Sequence, residues 1–566
     1  MPKTFARIVV IRPKAIDIRP PIELSLNILG IQMLLEQEGI CHDVGTVDRD
    51  FADATTIIVA DVLGLTEDEQ RAVMDLADHL PLLYVGVPLD GPLKSGMGLE
   101  RSRVIENPPL RVVQLPRHAI AAGLSLPEER NLKIKYAPHL ADDGTSSSRL
   151  REAASVCLHD GRRMGPAVLV STERPRKVVI PFALGQAAAC QVFKHGDLRF
   201  DLDLFDYPLH TTVDSLRTIL RNAILWANPD AILLRPYYWP VWKSDIPHGC
   251  FCLNHDLCGY RKEGLVNIKA ACRKARATTT FFDFPPFRLK AGEPEGHDVA
   301  IHVPDSTPLE KIVEARAELG KIHSREIRGW RRHGPTYPEN WPGVWQRMEE
   351  AGIKWSTAFG VQTMSWTIRS EGTAQANRLP ARVIDGQRGR RLNILEIPSF
   401  DSEDAERLSD IHYGPKLDWP TFHSYVTRRL DFAARHNLMA GYLIHGWTAG
   451  VAKEADGLYG ALDGQRMMRE VLRMAKERQL LTPGHEWVYD WWTWRERVRI
   501  AGGLINLPSD DFAPAIEFLS ASKLPAEMQV GGRRVRLREW PVRRSRMLAV
   551  DPGRIGTTFQ IEFLSK

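Results

Sequence analysis

At 566 residues the chain is too long for one ordinary core, and roughly two to four domains are expected. A formal net charge of +5, with 43% hydrophobic and 26% charged residues, is ordinary globular usage that points to neither a nucleic-acid partner nor a disordered chain. No run approaches the roughly 18 uninterrupted apolar residues of a membrane span, and the opening "MPKTFARIVVIRP" reads as a first strand rather than an export signal.

Residues 1–235 alternate strand and helix patterns. The β-branched run "RIVVI" (7–11) is followed by a long amphipathic helix over 22–39, stopped by Gly39. Strands over 55–62 and 81–89 bracket a second helix, in which Thr66 and Glu69 have capping-box spacing. Further on, 167–185 reads as a β-hairpin and 212–229 as a closing helix. Such alternation predicts a parallel sheet with helices on both faces. The pattern resembles the flavodoxin-like parallel sheet of glutamine-amidotransferase-like domains, especially their ThuA-like branch. That family carries a cysteine nucleophile in a tight elbow, whereas "GVPLDG" (86–91) has Pro88 and no cysteine, so acyl transfer by that route is excluded. A scaffold, a contact in a homo-oligomer or a substrate-binding wall is the expected role.

"RPYYWPVWKSDIPHG" (235–249) marks a boundary rich in proline and aromatics, with 236–249 as the linker. Residues 250–501 again alternate. Strand candidates lie at 250–256, 278–284, 298–303, 381–386, 392–398 and 440–446, and helix candidates at 308–325, 341–352 and 419–437. Strands that end in polar residues and are followed by crossovers predict a (β/α) barrel, whose chemistry gathers at the strands' C-terminal ends. The tail, 502–566, reads as a small β-rich domain with an arginine cluster at 533–546, either a solvated edge strand or a dock for an acidic group.

The seven cysteines, Cys41, Cys157, Cys190, Cys250, Cys252, Cys258 and Cys272, are odd in number and sparse, which argues against a disulfide framework and for a reducing cytoplasm. Cys250 and Cys252 share one strand face at period two and are expected in a wall rather than at a metal.

The order of segments in the middle region is distinctive. A strand ending "NHD" (254–256) precedes "GHDVAIH" (296–302), "IRGWRRHG" (327–334), "LEIP" (395–398) and "YLIH" (442–445). This order resembles the polysaccharide deacetylase family, the NodB homology domain, over about 250 residues. The resemblance implies a distorted (β/α)7 barrel, one divalent metal and removal of acetyl groups from sugars. Zinc is the expected metal, with cobalt or nickel as alternatives. Asp256 matches one of the family's two aspartates, a general base and a metal ligand, and its partner is His255 or Cys258. His302 matches the first of two metal-binding histidines four apart, but Ser306 stands at the second place. Asp305 or His333 would then complete the set. Arg331 matches the arginine that orients the base, and His445 the general acid towards the leaving amine. Trp330, Trp341, Trp355, Trp366 and Trp447 lie near these motifs, with Trp330 and Trp447 as candidate platforms for a sugar ring. The implied partner is a carbohydrate or an N-acylated small molecule, with no membrane or nucleic acid. A degenerate, metal-free relative that binds glycan is the alternative.

Overall fold

The computed structural model describes residues 4–564 apart from 18–21, 106–110, 135–137, 142–149, 194–211, 259–261, 334–340, 358–377, 399–401, 404–417, 451–463, 541–544 and the short gaps at 50, 52, 100–101, 126, 159, 286–287 and 387. Trp366, Arg543 and Arg544 therefore lie outside the described residues.

The N-terminal sheet runs in the order His42–Gly45, Ile8–Ile11, Thr56–Val62, Leu82–Val87, Lys177–Ile180, and continues through antiparallel strands Arg163–Val170, Arg151–Cys157, Arg111–Gln114 and Asn131–Ile134. Its first five strands are mutually parallel. Every residue of Ile8–Ile11 and Thr56–Val62 is buried, because helices cover both faces of a parallel sheet. The expected hairpin over 167–185 forms, with Leu169 opposite Val179. The Thr66 capping box is also present.

Helices Ile22–Glu38 and Leu184–Phe193 cross at glycine. A Cβ on Gly30 would stand 1.9 Å from the Gly185 carbonyl oxygen, so any side chain there would force the helices apart. In the expected elbow, Gly86 has φ +141° and an added Cβ would meet the Asp61 oxygen at 1.4 Å.

Asp61 itself is fully buried. It accepts from Tyr84 Oη at 2.7 Å and from the Gly64 amide at 2.8 Å. Burial still dominates and pushes its carboxyl up to about 6. A raised folded-state value means that the stability it contributes is complete below about pH 4 and is lost as pH rises through about 6. Relative to Asp61→Asn, the wild type should lose about 2–3 kcal/mol of unfolding free energy across that window. Urea denaturation at stepped pH checks this, and superimposable pH profiles for the two proteins would refute it.

In the middle region a row of parallel strands runs Arg390–Glu396, Trp355–Ser356, Gly329–Arg332, Asp298–Val303, Thr279–Asp283, Gly249–Asp256, Met439–Leu443, Ser402–Glu403. Ala381–Asp385 adds antiparallel to the first. The expected strands are thus present, but the row does not close into a barrel among the described residues. Its two ends follow one another in the chain, and Pro398 between them has no N–H to continue the ladder.

The tail is not a separate appendage. Ala515–Leu519 pairs antiparallel with Ala231–Pro236, which also pairs with Thr4–Phe5. One core holds Cys250, Cys252, Phe282, Ala300 and Trp355 from the parallel row together with Ile516, Phe518 and Trp540 from the tail. The first part of the expected linker belongs to that core, since Tyr237, Tyr238 and Trp239 are fully buried, whereas 242–245 are exposed. Arg533–Arg536 is the edge of a five-stranded sheet, and its arginines are mostly exposed, as a charge-protected edge requires.

A buried charge network joins the three regions. Glu38, at the end of its helix, meets Arg217 Nε at 3.0 Å, Arg221 Nη1 at 3.3 Å and Arg235 Nη1 at 2.5 Å. Tyr238 Oη donates to Glu38 at 2.6 Å, and Arg235 Nε reaches Glu517 at 2.8 Å. Arg495 donates to the carbonyls of Glu36 and Gln37, each at 3.0 Å, which caps the helix that carries Glu38. No described helix is long and apolar enough to cross a membrane.

Candidate functional site

The pleat of Gly249–Asp256 sorts its residues between two cores. Cys250 and Cys252 face the inner core, and Phe251 and Leu253 the outer one beneath the helices. Asp256 continues the inner face and His255 the outer. His255 is fully buried, with Nδ1 2.9 Å from the Ile444 carbonyl and its ring beside Phe281. The expectation that His255 holds a metal beside Asp256 is therefore corrected: one residue's step along a strand sends it to the opposite face.

Parallel register brings other strand ends to Asp256. His302 pairs with Arg331 in the adjacent ladder, and the Gly446 amide donates to the Asp256 carbonyl at 2.9 Å. Asp256 Oδ1 lies 3.2 Å from Arg331 Nε, and Oδ2 lies 3.5 Å from His302 Nε2. Arg331 also stands over the Phe282 ring at 5.0 Å. Burial alone would raise the Asp256 carboxyl, but Arg331, followed by His302, His445 and His333, brings it below the usual range. Burial pushes His302 down to about 4, so its imidazole is neutral at pH 7 and Arg331 is the charge that holds Asp256 ionised.

Three donors meet at this rim. The ligating atoms of Cys258, His302 and His333 all lie within 4.8 Å of one another. His302 Nδ1 is 3.3 Å from the Arg331 carbonyl, which can only accept; in the tautomer that donates there, Nε2 offers a lone pair. That lone pair faces a carboxylate oxygen at 3.5 Å. In that tautomer the two acceptors face each other, an arrangement that a cation would bridge. One thiol and two imidazoles suit zinc, and three protein ligands leave a fourth position for water. The residues present fit the metal. Of the alternatives left open by the sequence, Cys258 and His333 are the ones the fold brings to His302.

Asp305 is not brought there. Its carboxylate lies 3.0 Å from Arg332 Nε, and Arg332 alternates with Arg331 onto the other face. Ser306 is exposed. Trp330 is also on that face, fully buried, donating Nε1 to the Val303 carbonyl at 3.2 Å and packed edge-on against Trp345. Its expected role as a sugar platform is corrected to a core residue. Trp355 is core too, stacked 5.3 Å from His485. Trp447 is half-buried with its ring 5.9 Å from that of His445, so it remains at the rim. His445 is half-buried and follows the strand beside Asp256.

Phe284 escaped the sequence reading. Its ring stacks on His333 at 4.4 Å and meets His302 edge-on at 5.9 Å, which fixes the imidazole that comes from a loop. The signal was available: Phe284 closes a strand, "TTTFFDF", whose end lies beside that of Asp256.

No family model and no curated protein matches this chain. Among solved structures it is similar to Agd3, a novel carbohydrate deacetylase, at 9% identity and a TM-score of 0.39, covering 100% of this chain and 99% of that one. It is also similar to a presumed polysaccharide deacetylase from Mycobacterium smegmatis, at 13% identity and a TM-score of 0.31, over 46% of this chain and 95% of that one. A third is BA3943, a CE4 family pseudoenzyme from Bacillus anthracis, at 9% identity and a TM-score of 0.25, over 43% of this chain and 67% of that one. These comparisons do not support the amidotransferase-like reading of residues 1–235.

Proposed function

We propose that this chain is a metal-dependent hydrolase that removes an N-acyl group, such as acetyl, from an amino sugar or a sugar-containing polymer. The observation that carries the reading is the meeting of Cys258, His302 and His333 within 4.8 Å, beside a buried carboxylate held by Arg331 at 3.2 Å. Cys258, His302 and His333 would hold the ion, the last two as neutral imidazoles. When bound, a zinc-type ion lowers the pKa of water and polarises an amide carbonyl.

The chain's own residues supply the proton transfers. Asp256, ionised at neutral pH, accepts a proton from the attacking water, and Arg331 keeps it charged and oriented. His445 donates to the departing amine, which as a free anion would be too poor a leaving group. Trp447 offers an apolar face beside His445 to a sugar ring.

Metal analysis of the purified chain tests the reading. About one zinc per chain is expected, and His302→Ala, His333→Ala and Cys258→Ala should each fall well below that while remaining folded by circular dichroism. A folded, metal-free wild type would overturn the proposal and favour the glycan-binding alternative, towards which exposed Ser306 and the Arg332-bound Asp305 already point.

A further inference from the structure

A cavity of about 560 Å³ lies away from the Asp256 centre, among residues that open the parallel strands rather than close them. Asp298 lines it and begins the strand that carries His302; at about 3.3 Å per residue their Cα atoms are about 13 Å apart. We propose that this cavity binds an acidic saccharide, a sugar chain bearing carboxylates.

Aromatic surface is the first support. Trp242 is 50% exposed, which is unusual for a side chain of that size. It meets Trp487 edge-on, with centroids 6.2 Å apart and planes at 88°, so the two indoles form a corner. Trp487 is braced from behind by Phe512 at 5.9 Å. Trp242 is presented by a tight turn: its amide donates to the Asp245 carbonyl at 2.8 Å, and the Asp245 amide donates back at 3.0 Å. The two central residues, Lys243 and Ser244, have φ of 48° and 71°, left-handed values that neither side chain favours. Indole faces pack well against the C–H faces of sugar rings.

Charge is the second. Lys243, Arg276, Lys476 and Arg538 line the cavity against Asp245 and Asp298. Asp298 is already engaged, since Oδ2 accepts from the Glu486 amide at 3.0 Å. Arg538, from the arginine-rich tail, stands 3.8 Å from Asp245. The surplus is cationic, and its spread over separate side chains suits carboxylates along a chain.

The inference does not depend on turnover at Asp256.

Calorimetric titration of the full chain with a galacturonic acid oligosaccharide tests it, with a neutral galactose oligosaccharide and adenosine monophosphate as comparators. The acidic oligosaccharide should bind, and Trp242→Ala should weaken it by about tenfold or more. Lys243→Ala combined with Arg538→Ala should abolish the preference over the neutral chain, whereas Asp256→Asn should bind as the wild type does. No binding, equal binding of the neutral chain or the nucleotide, or insensitivity to Trp242→Ala would overturn the inference. Loss in Asp256→Asn alone would place the ligand at the other centre and overturn it too.

Discussion

Asp256→Asn should lower acetate release from an N-acetylglucosamine oligosaccharide by about 10³-fold while the chain stays folded and keeps its zinc. The amide has the size and shape of the carboxylate but cannot accept the proton of water. Its stability cost should be modest, about 1–3 kcal/mol, because Arg331 keeps its position over the Phe282 ring at 5.0 Å. Zinc content separates two roles that the sequence leaves open. Loss of activity with zinc retained makes Asp256 the base, whereas loss of both makes it a ligand. Activity within about threefold of wild type would end the proposed mechanism.

The second large effect concerns folding. Glu38→Gln should cost about 3–5 kcal/mol, read as a shift of the urea midpoint. Glu38 is 1% exposed and within 3.3 Å of guanidinium nitrogens of Arg217, Arg221 and Arg235, which the substitution leaves buried with too little negative charge. Burial, the largest influence on Arg235, would favour losing its proton; Glu38 and Glu517 reverse that and hold it firmly charged. By contrast Glu67→Gln, which breaks the exposed pair with Arg71 at 2.8 Å, should cost less than about 1 kcal/mol. Equal, small effects for the two substitutions would show that the network contributes little.

Both effects arise from groups far apart in the chain, and this sets what could be read in advance. Strands at 8–11, 56–62 and 298–303 and the helix after Thr66 were legible because alternation, β-branching and capping involve residues a few positions apart. His302, Arg331 and Asp256 were legible as strand-end polar residues, since consecutive parallel strands bring their C-terminal ends to one side. Trp330 misled for the converse reason. It adjoins Arg331, but a pleat puts neighbours on opposite faces, and only the packing of Trp345 against it shows which face is core.

The sequence by itself determined the order of elements, the parallel character of two regions and the group of residues from which a site could be built. Tertiary structure alone decided the rest. It brought Cys258 and His333, and neither His255 nor Asp305, to His302, because which side chains meet depends on pleat phase and loop approach rather than on residue type. It also drew Tyr237, Tyr238 and Trp239 and the tail into the core of the parallel row through the pairing of Ala231–Pro236 with Ala515–Leu519, a contact that local pattern cannot encode.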